Sequence, residues 1–137
     1  MDQEYYNALA TVRLERAKEL LAEAEGLLER GAYKSANNRA FYAIEKSIKA
    51  LLALEKTDVQ THSGALKQFN FLYIFKGDGT FSQEDYRMIS KAEQIRNASD
   101  YDDFYVASKE ETKQQVENAK KIVVKVQQYI ELRCSVI

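Results

Sequence analysis

Apolar residues recur every three or four positions along most of the chain, and this spacing predicts a series of amphipathic α-helices. The chain has no proline, and four of its five glycines can mark breaks between long uninterrupted segments. The pattern predicts helices over about 3–30, 33–54, 64–75, 82–99 and from 108 onward. Because the first two are joined by a short loop, they must run antiparallel. The sequence therefore predicts an all-α, up-and-down bundle of four to five helices.

The first helix has an apolar stripe that we expect to face the core, formed by Leu9, Val12, Ala17, Leu20, Leu21, Ala24, Leu27 and Leu28. Two later helices begin with the spacing of a capping box, Ser82 with Asp85 and Ser108 with Glu111. The segment 69–75 is apolar nearly all round, so we expect a short helix that is either buried across the bundle end or part of an interface.

Composition restricts the class of protein further. The length of 137 residues fits one domain, which we assign to residues 1–137. The single cysteine, Cys134, cannot form an internal disulfide, which indicates a reducing compartment. Lys and Arg total 20 against 21 Asp and Glu, so any contact with nucleic acid must be local. With no basic leader at the start and no apolar run of about 20 residues, we expect a cytoplasmic protein without membrane contact.

Common catalytic and cofactor motifs are missing from this sequence. The one histidine, His62, lies in a predicted loop before Gly64, where capping of the next helix is the simplest role. The glycines of 76–80 lack both the spacing and the preceding strand of a phosphate loop. No ligand spacing for a metal is present either, so we expect no metal and no cofactor.

Polar residues interrupt apolar helical faces at two places. Asn38 and Arg39 precede Tyr42 at the start of the second helix, and Arg96 lies at the edge of the core-facing stripe of the fourth helix. The simplest role of Arg96 is an ion pair with Asp100, four residues on. For Arg39 it is a bond to a carboxylate across the helix hairpin. Alternatively, these side chains bind a ligand.

Together these features resemble the HEPN superfamily. The resemblance rests on the segment NRAFYA at 38–43, His62 with Gly64, and Arg96 followed by Asp100 and Tyr101. It extends from Leu14 to Leu132, and it points to small stand-alone HEPN proteins whose genes often lie beside a minimal nucleotidyltransferase. It implies a HEPN-type bundle that forms a homodimer, with the arginine motifs of both subunits around a shared cleft.

Members with a full motif are metal-independent ribonucleases, often toxins silenced by the partner nucleotidyltransferase, and their motif places a histidine shortly after the arginine. Here residues 97–103 contain no histidine. Cleavage through a 2'-hydroxyl needs a base that titrates near neutrality, as imidazole does. The motif is therefore degenerate, and we expect an RNA- or nucleotide-binding component of a toxin–antitoxin-like pair, with Asn38, Arg39, Tyr42 and Arg96 as binding residues.

Two alternatives remain open from the sequence. One is an active ribonuclease toxin in which Arg96, Asp100 and Tyr101 are catalytic. The other is a non-catalytic helical dimer used only for protein interaction. The resemblance also implies that a partner enzyme can adenylylate a tyrosine near the arginine, which makes Tyr101 and Tyr105 candidate acceptors.

Overall fold

The computed structural model describes residues 2–134, and it is all-α over that range, as the sequence predicts. The helices are α1 (Gln3–Glu29), α2 (Tyr33–Leu54), α3 (His62–Phe69), α4 (Gln83–Tyr101) and α5 (Lys109–Cys134). α3 continues directly into a π-helical segment, Asn70–Phe75. No helix within residues 2–134 has both the length and the apolarity needed to cross a membrane.

A tight turn joins α1 to α2 as an antiparallel hairpin. Gly31 has a φ of 76°, a left-handed conformation that side chains disfavour, and its N–H donates to the carbonyl of Leu28 at 3.1 Å. The N–H of Ala32 donates to the carbonyl of Leu27 at 2.9 Å. These bonds close the end of α1 and turn the chain back along it. The two helices then form the most extensive packing in the bundle.

α2 is the central helix of the bundle. It packs against α1, α4, α5 and α3, and side chains around most of its circumference are buried. α5 lies along α1 and α2 through its apolar stripe of Val116, Ala119, Val123, Val126 and Ile130. α4 also packs on α2. Hydrogen bonds from Asn37 to Ser99 and from Asn38 to Asp100 show that the start of α2 lies beside the end of α4.

The predicted capping box is complete at the start of α4, and one of its two bonds is present at the start of α5. Asp85 N–H donates to Ser82 Oγ at 3.2 Å, and Ser82 N–H donates to the Asp85 carboxylate at 2.9 Å, which completes the capping box of α4. At the start of α5, Glu111 N–H donates to Ser108 Oγ at 3.1 Å. α4 continues to Tyr101, so Asp100 belongs to its last turn.

Two expectations about burial change. Val12 is 66% exposed, and its assignment to the core is wrong. It lies two positions from both Ala10 and Leu14, which are buried, so it points to the opposite side of α1. The side chains of the aromatic segment 69–75 differ in exposure: Tyr73 is buried in the core, while Phe75 is 79% exposed.

Candidate functional site

Arg96 lies near the end of α4 among three aromatic rings. Its Cζ is 4.7 Å from the ring centroid of Phe41, 5.3 Å from that of Tyr42 and 5.8 Å from that of Tyr101. Its side chain is only 15% exposed, and Nη1 lies 3.7 Å from Asp100 Oδ2. The predicted i, i+4 pair is therefore present but long, whereas each guanidinium–ring contact is worth about 0.5–2 kcal/mol. Aromatic contacts, more than the ion pair, hold this arginine.

One donor of the guanidinium is left over. Arg96 Nε is buried and has no hydrogen-bond partner among residues 2–134. A buried donor without a partner costs about 1–3 kcal/mol. Carboxylates and phosphates match the fork of a guanidinium, because they accept from two of its N–H groups at once. Because Nε is buried, an anion would reach the guanidinium from the side of Asp100, whose contact with Nη1 is long.

A chain of polar contacts connects α1, α2 and α4 beside Arg96. Asn38 Nδ2 donates to Asp100 Oδ2 at 2.9 Å, and Arg39 Nη1 donates to Asn38 Oδ1 at 2.6 Å. Arg39 Nε donates to Glu23 of α1 at 2.9 Å, which is the carboxylate across the hairpin that the sequence predicts. The two polar insertions thus meet at one place, with Asn38 and Asp100 as the bridge.

An open cavity of about 440 Å³ lies at this bridge, between the start of α2 and the end of α4. It is lined by Lys34, Ser35, Asn38, Arg39, Ser99 and Asp100. Lys34 and Arg39 supply two cations to this wall and Asp100 supplies one carboxylate, although Arg39 is already paired with Glu23. The first turn of α2 has no acidic residue, and its N-cap, Ala32, makes no side-chain cap bond, so the positive end of the helix dipole is not offset there. Such a surface favours a phosphate-sized anion.

The buried floor of this region contains a polar contact that could not be inferred from the sequence. Asn37, 2% exposed, donates from Nδ2 to Ser99 Oγ at 3.1 Å, and its Oδ1 has no partner among the described residues. This bond ties the first turns of α2 to the last turn of α4. It fixes the spacing of the walls that carry Asn38 and Asp100.

The two candidate acceptor tyrosines have different surroundings. Tyr101 is 75% exposed, and its ring faces Arg96. Tyr105 donates its hydroxyl to Glu111 at the start of α5, and burial together with that carboxylate raises the pKa of Tyr105 to about 12. The structure therefore groups Tyr101 with the arginine and pairs Tyr105 with α5.

His62 has a different place from the one that the sequence suggests. Thr61 is the N-cap of α3 and accepts from Gly64 N–H at 3.1 Å, so the capping role expected of His62 is wrong. Its Nε2 lies 2.6 Å from Glu93 of α4 and its Nδ1 lies 3.6 Å from Glu45 of α2. Within residues 2–134, no group of three His, Cys, Asp or Glu side chains is arranged to hold a metal ion.

Replacement of Glu45 by glutamine is expected to destabilise the protein in a pH-dependent way. Burial raises the pKa of Glu45, but contacts with His62 and Lys49 outweigh it and lower the pKa to about 2. A carboxyl whose folded pKa lies below its unfolded value of 4.5 stabilises the fold above about pH 4.5, and that contribution is lost as the pH falls towards 2. We expect Glu45→Gln to lower the free energy of unfolding by on the order of 2 kcal/mol at pH 7, and by less at pH 3.

Urea denaturation at both pH values measures this difference. Glu84→Gln is the matched control, because the Glu84 side chain is 69% exposed and should contribute little at either pH. An equal cost of Glu45→Gln at pH 7 and pH 3 would contradict the assignment of a low pKa to this carboxyl.

The fold and the site together define a helical-bundle protein with an arginine-centred polar site between its second and fourth helices. The fold is similar to the crystal structure of TT1696 from Thermus thermophilus, with a TM-score of 0.72 over 87% of this chain and 96% of that one, at 22% identity. The sequence profile of the HEPN domain matches residues 10–129. The chain belongs to the HEPN family, as the resemblance in its motifs predicts.

Curated relatives extend this comparison. The chain is 36% identical over 89 residues to a Methanocaldococcus jannaschii protein named "putative toxin", and 31% identical over 98 residues to a second protein of that name from the same organism. These matches span 64% and 65% of the relatives' own lengths. A UPF0332 protein of Thermotoga maritima is 28% identical over 85% of this chain and 86% of its own length.

Proposed function

We propose that this protein is the HEPN component of a toxin–antitoxin-like pair, and that its Arg96 site binds the phosphate of an RNA or nucleotide. The observation that carries the proposal is the guanidinium of Arg96, which is held by three rings, has a donor without a partner among residues 2–134, and lies next to Asp100, which lines the cavity together with Lys34 and Arg39. The toxin-like names of the relatives agree with such a role.

Each side chain has a distinct part in this proposal. Arg96 binds a phosphate through its fork, Arg39 adds a second positive charge, and Asn38 is a neutral donor. The exposed ring of Tyr101 offers a surface on which a base can stack, and Tyr42 supports Arg96 from α2. The incoming phosphate has to replace Asp100 as the partner of Arg96, which keeps affinity moderate and makes it dependent on salt.

The side chains available as proton acceptors at the site favour binding of RNA over its cleavage. Residues 97–103 contain no histidine, and both nitrogens of His62 face carboxylates, Glu45 and Glu93, instead of Arg96. Carboxylic acids as a class are too acidic and phenols too basic for efficient proton transfer at neutrality, unlike imidazole. An active ribonuclease is therefore the second candidate function.

The exposure of Tyr101 favours a further role within the same pair. A nucleotidyltransferase partner needs an accessible hydroxyl close to a cation that attracts its nucleotide, and Tyr101 has both. Tyr105 suits the role less, because its hydroxyl is bonded to a carboxylate that repels a nucleotide. We propose Tyr101 as the acceptor, in a homodimer that contacts a minimal nucleotidyltransferase. In that step the Tyr101 hydroxyl would attack the α-phosphate of ATP, release pyrophosphate and lose its proton, and the adenylyl group gained would cover Arg96 and block RNA.

Arg96→Ala is expected to weaken RNA binding at least about tenfold, equivalent to about 1.4 kcal/mol, because the charge and the fork are both removed. Fluorescence anisotropy with a labelled single-stranded RNA at fixed, low salt measures the affinity. Arg87→Ala is the matched control, since Arg87 lies on the same helix, is 71% exposed and pairs only with Glu84 among the contacts described. Its affinity should change less than twofold.

A second variant of Arg96 separates the contribution of its charge to RNA affinity from that of its guanidinium geometry. Arg96→Lys keeps the positive charge but loses the bidentate fork, so its affinity should lie between wild type and Arg96→Ala. Circular dichroism and thermal unfolding show whether each variant is folded. Wild-type affinity in a folded Arg96→Ala protein would remove the basis of the proposal. If expression of the wild type arrests growth, Arg96→Ala should relieve the arrest.

A further inference from the structure

The single histidine of the chain is enclosed by side chains of two other helices. Nε2 of His62 lies 2.6 Å from Glu93 Oε2, Nδ1 lies 3.6 Å from Glu45 Oε2, and the side chain is 16% exposed. A neutral imidazole has one N–H and one lone pair, so it can face only one carboxylate favourably. With a carboxylate near each nitrogen, the positively charged imidazolium is the form that both carboxylates attract, although neither nitrogen makes a hydrogen bond within residues 2–134. In that form His62 connects α3 to both α2 and α4.

The other charges around His62 come from the same two helices. On α2, Lys49 Nζ lies 3.0 Å from Glu45 Oε1 and so offsets part of that carboxylate. On α4, Arg96 lies three positions after Glu93, on the same side of the helix. The surroundings are thus two carboxylates, one ammonium and one guanidinium. A change in the charge of His62 is felt by each of them.

A single ring separates His62 from Arg96. The Phe41 ring centroid is 4.8 Å from that of the imidazole, at an interplanar angle of 64°, and 4.7 Å from Arg96 Cζ. Phe41 is fully buried. Because interiors are close-packed, a ring held on two sides cannot move without moving its neighbours. Phe41 therefore couples the position of the imidazole to that of the guanidinium.

We propose that His62 is a positioning residue for Arg96: the imidazolium, held by Glu45 and Glu93, fixes the Phe41 ring and the adjacent turn of α4, and thereby fixes the guanidinium. His62 does not touch the bound phosphate; it acts through Phe41 and through Glu93. Loss of the imidazole proton removes one of the two carboxylate contacts and loosens Arg96. The consequence for RNA binding rests on the proposed function, whereas the coupling of the two side chains does not.

NMR signals of arginine side chains test the coupling directly. The Nε–Hε signal of Arg96, identified by its absence in Arg96→Lys, reports the ring contacts of the guanidinium whether or not a ligand binds. In wild type it should change with pH in step with the imidazole signals of His62. In His62→Gln the signal should move to a new position and lose this pH dependence. Gln68→Ala, an exposed change on the same helix, should leave both unaltered.

A second variant keeps the test valid if His62→Gln fails to fold. Glu93→Gln retains the imidazole but removes the charge of its nearer carboxylate, so the midpoints of His62 and Arg96 should move together. A pH dependence of the Arg96 signal that does not follow that of the His62 signals, or an unchanged Arg96 signal in His62→Gln, would overturn the proposal.

RNA binding distinguishes this inference from the proposed function. We expect His62→Gln to bind RNA several-fold more weakly than wild type, with a flatter pH profile. A wild-type protein that binds no RNA would contradict the proposed function, while the Arg96 signal would still decide the positioning role of His62.

Discussion

Truncation of Phe41 to alanine is expected to lower the free energy of unfolding by about 4 kcal/mol, one of the largest effects of any single substitution in this chain. The side chain has 0% exposure on the central helix α2, and its ring contacts Tyr42, His62 and Arg96. Truncation leaves a cavity and also removes a cation–π partner of a guanidinium that is only 15% exposed. Urea denaturation, with the slope checked against wild type, gives the change in stability.

Two other variants make the Phe41 measurement specific. Val12→Ala removes an aliphatic side chain that is 66% exposed, so its cost should stay within about 0.5 kcal/mol. Phe41→Leu retains most of the buried volume but no aromatic face, and should cost less than Phe41→Ala while still altering the Arg96 Nε–Hε signal. A cost below about 1 kcal/mol for Phe41→Ala would be inconsistent with its place in the core.

The helices were predictable because their signals are local. The absence of proline, the spacing of apolar residues and the capping boxes are read from stretches shorter than one helix, and the structure confirms the helices that they predict. Val12 was misjudged because a long, loosely patterned helix offers more apolar positions than its core face can hold. Because Ala10 and Leu14 face the core, Val12 between them faces solvent. Which side of α1 is buried depends on the helices that pack against it.

The candidate site was only partly predictable, for a different reason. Asn38 and Arg96 could be singled out because polar residues on an apolar face are visible along the sequence, and the structure places them beside each other through Asp100. Their ligand remains a prediction. The surroundings of His62 could not be foreseen, since Glu45 and Glu93 belong to two different helices and meet it only in the folded chain.

The separation of Tyr105 from the arginine site has the same origin. Tyr101 and Tyr105 are four residues apart and look equivalent as candidate acceptors in sequence. The helix ends at Tyr101, however, and the chain then turns through Asp102, whose carbonyl accepts from Tyr105 N–H at 3.1 Å. The tyrosine beyond the turn reaches Glu111 instead. Helix termination, which sequence locates only to within a few residues, decided which hydroxyl stays with Arg96.

Asp85→Ala is expected to lower the free energy of unfolding by about 3 kcal/mol, because one carboxylate fulfils two structural roles. It accepts from Ser82 N–H at 2.9 Å, and the same oxygen lies 2.8 Å from Lys125 Nζ of α5, with Asp85 only 6% exposed. Asp85→Asn retains an acceptor for the cap but loses the charge, and should cost about half as much. Glu84→Ala, on the adjacent exposed position, is the control and should be nearly neutral.

A double-mutant cycle with Lys125→Ala measures how much of the stability lost in Asp85→Ala belongs to the Asp85–Lys125 ion pair between α4 and α5. The coupling should be about 1 kcal/mol, since the lysine is 36% exposed and partly screened by solvent. Equal costs for Asp85→Ala and Glu84→Ala would contradict both roles of Asp85. Because Asp85 lies eleven residues before Arg96, roughly 16 Å along α4, its loss should destabilise the fold without weakening RNA binding well below the melting temperature. Stability and ligand binding would then be separable along a single helix, with the tether to α5 at its start and the arginine site at its end.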